Sequence, residues 1–242
     1  MKVTVTGAAS GIGKATVLKL LDMGAEVVAV DLSNSNLDYL RNSKGEKLFA
    51  DVADQDSRNV IIERSVGFDG LVNAAGKIET KNLTEYSISD IRELFMVNFE
   101  SAWDLTSKIG ATMPAGGSIV NLSSAGAKVV TNSNVGPYAA TKAAILSMTR
   151  TFSFEFASRG IRVNAICPGL IETPMQDKVN NSLSTSQGIP LQEIIEKRVE
   201  MIPMKRFGTS AECADIIIFL LSHNSSYITG QSLNATGGWI TH

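Results

Sequence analysis

The sequence predicts an α/β fold: one doubly wound parallel sheet with helices on both faces. Three observations carry that expectation. Short β-branched runs alternate with stretches of helical periodicity along the chain. Gly7, Asp31, Asp51, Asn73, Ser124 and Pro168 each fall at the C-terminal end of such a run, where open parallel sheets bind their ligands. The length of 242 residues suits a single domain, 1–242, with a sizeable core.

Taken in order, Val3 to Thr6 is a β-branched strand that enters the turn Gly7-Ala8-Ala9-Ser10-Gly11-Ile12-Gly13. Lys14 to Met23 then has a helical pattern closed by Gly24. Strand, glycine turn and helix make the first half of a dinucleotide site. Bare glycines let backbone amides approach a pyrophosphate, and the helix N-terminus supplies partial positive charge. The spacing Gly-x-x-x-Gly-x-Gly differs from the commoner Gly-x-Gly-x-x-Gly. A second strand, Glu26 to Val30, ends in Asp31, where the adenosine ribose of a dinucleotide should lie. A carboxylate there accepts hydrogen bonds from the ribose hydroxyls and repels a 2′-phosphate. With Ser10, Leu32 and Ser33 uncharged beside it, the expected cofactor is NAD and not NADP.

Lys47 to Ala50 reads as a third strand leading to Asp51-Val52, followed by a helix over about Asp56 to Val66. Asp69 to Asn73 is the fourth strand and runs into Asn73-Ala74-Ala75-Gly76. A long helix, Ser89 to Lys108, contains Asn98 and the aromatics Phe95, Phe99 and Trp103, read as core or subunit contacts. Strand Ser118 to Leu122 delivers Ser123 and Ser124; a strand's period of two turns only one of them to a site, and Ser124 is the choice. The next helix starts at Pro137 and runs to about Arg159, with Gly160 past its end. Strand Ile161 to Ile166 leads to Cys167-Pro168-Gly169. From Glu172 to Phe207, prolines and glycines surround a short amphipathic piece, Leu191 to Glu200, a composition that predicts a substrate lid at 172–207.

Tyr138 and Lys142 lie one helical turn apart on one face. A free phenol titrates near ~10, and a fixed positive charge nearby favours the phenolate. Lowering it by ~2–3 units takes ~3–4 kcal/mol, about what a unit charge at ~4 Å supplies at an effective dielectric near 20. The pair therefore makes a tunable acid only inside a cleft.

Composition narrows the field. Hydrophobic residues make up 44% and charged residues 19%, ordinary for a soluble domain. A net charge of −2 and the lack of a basic tract leave no footprint for nucleic acid. The longest compact apolar run, Ile216 to Leu221, is too short to span a bilayer, so no membrane partner is expected. The N-terminus has no apolar signal core, which makes a cytoplasmic location the default. Cys167 and Cys213 are far apart and read as free, inert thiols; with His223 and His242 isolated, no metal site is expected. No Gly-x-Ser-x-Gly is present for a serine hydrolase.

With Thr6-Gly7-x3-Gly11-x-Gly13, Asn73-Ala74-Ala75-Gly76, Asn98, Ser124, Tyr138-x3-Lys142 and Pro168-Gly169 in this order, the chain resembles the short-chain dehydrogenase/reductase family over essentially its whole length. The resemblance implies a Rossmann-like fold and hydride transfer between a nicotinamide and a small secondary alcohol or ketone. It implies Tyr138 as proton donor and acceptor and Ser124 as partner of the substrate oxygen. Lys142 would tune the tyrosine and hold the ribose, and Asn98 would anchor a water path to Lys142. Gly7, Ser10, Gly11, Ile12, Gly13, Asp31, Asp51, Val52, Asn73, Ala74 and Gly76 would line the cofactor, together with Tyr138, Lys142, Pro168, Gly169, Ile171 and Thr173. The long helix and the Tyr138 helix would pair across a dimer axis, in a homodimer or homotetramer.

Two departures stand out. Ser124 and Tyr138 are one residue further apart than usual, which puts an extra residue in the loop Ala125 to Gly136, and Thr236-Gly237-Gly238 stands where Asp-Gly-Gly is usual. The competing readings are a non-catalytic dinucleotide-sensing protein, an NADPH-linked 3-oxoacyl reductase, and a sugar-nucleotide epimerase, which resembles a longer chain.

Overall fold

The computed structural model describes residues 1–41, 43–130 and 132–242. Seven parallel strands form one sheet: β1 (Lys2–Thr6), β2 (Glu26–Asp31), β3 (Gly45–Phe49), β4 (Gly70–Asn73), β5 (Ser118–Leu122), β6 (Arg162–Pro168) and, last in the chain, β9 (Ser232–Ala235). Their order is β3-β2-β1-β4-β5-β6-β9, so the direction of winding reverses between β1 and β4. In an open parallel sheet, the crevice beyond the strand ends at that reversal is where a ligand fits. Two short strands, β7 (Ile171–Glu172) and β8 (Gly208–Thr209), pair separately.

Strand side chains alternate between two cores, as a period of two requires. Val27 and Ala29 join Val3, Val5, Val72 and Val120 under helices α1 (Gly11–Asp22) and α8 (Ser210–Leu221). Val28 and Val30 join Leu71, Ile119 and Val163 on the other face, packed by α4 (Ser101–Thr112) and α5 (Gly136–Ala157). On that second face, Asn73 donates to Thr106 and Asn121, and Asn121 donates to Thr149, a buried polar line crossing from sheet to helices.

Helix boundaries follow their caps. Ser87 and Asp90 form a capping box at the start of α3 (Ile88–Phe95), and Thr209 with Glu212 does the same for α8. The long helix expected over Ser89 to Lys108 is present as α3, a π-helical segment Met96–Glu100 and α4. α1 begins at Gly11 and not Lys14, because the turn glycines themselves enter the helix. α2 (Gln55–Arg64) lies close to its expected place. The 172–207 stretch contains two full helices, α6 (Pro174–Gln187) and α7 (Leu191–Glu200), of which only α7 was legible as a helix. α6 is framed by the Thr173 side chain at its start and Gly188, at φ 65°, at its end. The loop Ala125 to Gly136, expected to carry an extra residue, includes residue 131, which lies outside the described residues.

Among the described residues, no helix is long and apolar enough to cross a membrane, and no group of three His, Cys, Asp or Glu side chains converges as a metal site. Cys167 and Cys213 are buried free thiols.

Candidate active site

The glycine turn is bare because nothing else fits. A Cβ on Gly13 would sit 2.1 Å from the Gly7 carbonyl oxygen, and one on Gly7, whose φ is 67°, would sit 2.7 Å from the Ala75 nitrogen. The Thr6 hydroxyl accepts from the backbone N–H groups of Ala74 and Ala75, both at 3.1 Å, and so clamps the β4 exit against the turn. Ser10 precedes α1 without a side-chain cap, leaving the first amides of the helix to the cleft. This is a cradle that fits a pyrophosphate.

Asp31 is tied into the same turn. One carboxylate oxygen accepts from Ala9 N–H at 2.8 Å; the other accepts from Leu32 N–H at 2.8 Å and from the Ser35 hydroxyl at 2.5 Å. A carboxylate offers about four acceptor positions, so its capacity is mostly used and room for a ribose hydroxyl remains. Asp31 on β2 and Ser124 after β5 are three strand spacings apart, ~14 Å at the usual separation. That is a span for an extended ligand laid across the strand ends.

At the far end, β5 delivers the two serines with opposite aims. Ser123 is buried and donates to the Lys142 carbonyl at 2.8 Å. Ser124 accepts from Gly126 N–H at 3.1 Å and faces the Tyr138 phenol. Burial pushes that phenol up to about 12, with the Ser124 hydroxyl pulling the other way. Lys142 is 4% exposed, and burial draws its ammonium down to about 8. Its Nζ donates to the Leu122 carbonyl at 2.8 Å and stands 5.7 Å from the Tyr138 ring centre. The sequence led to the expectation that Lys142 depresses the tyrosine. In the structure desolvation dominates both groups: burial raises the phenol and lowers the ammonium, whose Nζ donates to a backbone carbonyl.

One cleft of about 880 Å³ collects these groups. Of the residues singled out from sequence, Gly7, Ser10, Gly11, Ile12, Gly13, Asp31, Asp51, Val52, Ala74, Gly76, Ser124, Tyr138, Lys142, Pro168, Gly169, Ile171 and Thr173 line it. Asn73 and Asn98 do not. Asn73 lies behind the wall in the polar line described above. Asn98, held in the π-helical segment, pairs with Lys77 through both backbone groups, at 2.7 and 2.9 Å, and donates to Thr141 at 3.1 Å. Its amide oxygen and Lys142 Nζ lie 3.4 and 3.5 Å from where a Gly76 Cβ would be, so they flank the same small space. Gln176, Arg198 and Trp239 also line the cleft. The lid composition pointed at the region of the first two; only the adjacent pair Gly237-Gly238 hinted at the third.

Comparison with known proteins gives the family and agrees with the fold. A family model described as enoyl-(acyl carrier protein) reductase matches residues 7–240. The chain is 37% identical to the 3-oxoacyl-[acyl-carrier-protein] reductase FabG of Thermotoga maritima, over 98% of this chain and 96% of the relative. The chain belongs to the short-chain dehydrogenase/reductase family. As members of this family, a short chain dehydrogenase from Francisella tularensis superposes with a TM-score of 0.90 at 27% identity, covering 98% of each chain. An actinorhodin polyketide ketoreductase solved with NADPH superposes at 0.92 and 26%, covering 100% of this chain and 97% of its own. The chain is thus a single-domain oxidoreductase of a family that binds a nicotinamide dinucleotide.

Proposed function

We propose that this is a cytoplasmic, NAD-dependent enzyme interconverting a secondary alcohol and a ketone, with Tyr138 as its acid and base. The observation that carries this reading is the convergence of Tyr138, Ser124 and Lys142 in one cleft with Asp31 and the bare glycine turn. A bound nicotinamide would supply or accept the hydride at the substrate carbon. In reduction, Tyr138 holds its proton at neutral pH and passes it to the carbonyl oxygen; in oxidation, its phenolate receives the alcohol proton. Ser124 donates to the oxygen on which charge develops. Lys142 and the turn amides hold ribose and phosphate, and Asn98 fixes the Lys77 backbone beside Lys142 as a positioning residue.

Asp31 supports NAD over NADP. A 2′-phosphate at ~4 Å would be repelled by several kcal/mol at an effective dielectric near 20. A second reading, NADPH-linked reduction of a 3-oxoacyl thioester, is favoured by the Thermotoga relative and by Lys14. The Lys14 ammonium rests 4.9 Å from the centre of the Tyr39 ring, itself close enough to Asp31 to feel its charge. We also propose a homodimer or homotetramer joined through α4 and α5, which leave Trp103 41% and Phe154 89% exposed.

The test is a panel of secondary alcohols, ketones and 3-oxoacyl thioesters with each cofactor, followed by nicotinamide absorbance. Turnover of simple ketones with NAD is the expected result. Thioester turnover confined to NADPH would select the second reading, and no turnover at all would sink both.

A further inference from the structure

Arg198, in the last turn of α7, lines the cleft and makes no ion pair with any described carboxylate. One of its terminal nitrogens donates to the side-chain oxygen of Asn180 on α6, and Gln176 donates to the same oxygen at 3.2 Å. That oxygen is a neutral acceptor shared by two donors, and it leaves most of the guanidinium fork unused. Burial draws the Arg198 pKa down to about 10, and no acidic group counters it. The cleft's other cations are differently placed. Lys77 pairs with Glu93 at 2.5 Å, Lys142 is engaged with Leu122, and Lys178 is exposed. A second donor points the same way. Asn132 also lines the cleft; its oxygen accepts from Asn134 N–H at 2.9 Å, while its Nδ2 is buried with no partner.

A guanidinium fork mostly unused and a buried amide nitrogen without a partner, both lining the cleft, select a ligand that brings acceptors. One of them is a half-buried cation in a cleft that Val179, Leu183 and Met201 also line, so the ligand should also bring charge. Building on the reading of this cleft as that of an alcohol–ketone oxidoreductase, we propose that its substrate carries a compact anionic group, a carboxylate or phosphate, seated on the guanidinium fork of Arg198. The planar fork fits two oxygens of either anion at once, a match that a lysine lacks. Arg198 is then a specificity-determining residue: it reads the substrate's charged end while Tyr138 and Ser124 act on its oxygen.

The test uses matched pairs: keto acids of increasing length beside their methyl esters, and dihydroxyacetone phosphate beside dihydroxyacetone. The whole protein should favour the charged member of at least one pair by ~10–10²-fold in kcat/KM, mainly through KM. Arg198→Met should collapse that ratio toward one, and Arg198→Lys should restore part of it. Which pair responds tells carboxylate from phosphate. Equal use of charged and neutral members by the unmodified protein, or a ratio that persists in Arg198→Met, overturns the proposal. Calorimetric titration of the same probes with NAD present separates this from the reaction assignment. If no probe turns over, that assignment fails; charge-selective binding lost in Arg198→Met still upholds the anion site, and charge-blind or absent binding removes it.

Discussion

Lys142 stands with its Nζ 5.7 Å from the centre of the Tyr138 ring, close enough to share a cleft, with one of its three N–H donors given to the Leu122 carbonyl. Burial depresses the ammonium from 10.5 to about 8. The folded state therefore holds that proton less tightly than the unfolded chain does. The cost to stability is complete below pH 8 and is relieved as pH rises from about 8 toward 10.5. Lys142→Met should be more stable than the unmodified protein at neutral pH by up to ~3 kcal/mol, with the gap closing by pH ~10. Urea unfolding at several pH values measures it. A gap independent of pH would mean that the ammonium is not desolvated.

Tyr138→Phe keeps the ring and its packing while removing the proton. Cofactor binding should survive and turnover should fall by ~10²–10⁴ or more. Since the phenol lies near 12, ketone reduction should be flat in pH through neutrality, and alcohol oxidation should climb with pH in the unmodified protein only. Near-normal turnover in a folded Tyr138→Phe protein would remove this residue from the chemistry.

Asp31→Ala should weaken NAD and admit NADP, erasing most of a preference of ~10²-fold or more. Because the carboxylate also ties Ala9, Leu32 and Ser35 together, the variant should lose some thermal stability as well. Comparing kcat/KM for the two cofactors decides the matter; equal use of both from the outset would refute the assignment.

Gly13, inside α1, and Gly24, just past its end, offer a contrast. A methyl at Gly13 meets the Gly7 carbonyl oxygen at 2.1 Å, whereas at Gly24, φ 79°, nothing lies within 4 Å. Gly24→Ala should cost only backbone strain, ~1–2 kcal/mol, and leave dinucleotide affinity intact. Gly13→Ala has to move the turn and should lower affinity by ~10-fold or more, with ~1–3 kcal/mol lost from overpacking. Thermal unfolding and dinucleotide titration on both variants separate the effects.

The lid predicts a dynamic signature. Amides of α6 and α7 should exchange faster than those of β4, β5 and β6, and should slow when cofactor and a substrate analogue are both present. Equal, slow exchange in both conditions would make 172–207 a fixed wall.

The sheet and most of the cleft were legible because parallel strands buried on both faces leave uninterrupted runs, and because the functional residues sit where those runs stop. Asp31, Asp51, Ser124 and Pro168, all lining the cleft, were legible that way. Four things escaped. α6 has few apolar residues and hides its start behind Thr173-Pro174. β9, Ser232–Ala235, is only half-buried and carries no strong β signal. Whether Asn73 and Asn98 would face the cleft or its backing depends on side-chain direction, at the end of β4 for the one and in a π-helical segment for the other, which periodicity does not encode. The sign of the Tyr138 shift was missed for a similar reason: spacing places Lys142 one turn away but says nothing of the Leu122 carbonyl that competes for it.

β9 follows the sheet's other six strands in sequence and pairs with β6 in register from Ala165–Ser232 to Pro168–Ala235, while Gly169 N–H donates to the Ala235 carbonyl at 2.9 Å. During synthesis, β6 and the Pro168-Gly169 wall of the cleft therefore stay an open sheet edge until Ser232–Ala235 has emerged. Open edges recruit other strands. A nascent or truncated chain ending before Ser232 would expose that edge beside a half-built pocket, so the dinucleotide, by favouring the closed sheet, would act on this protein as a folding ligand as much as a reactant.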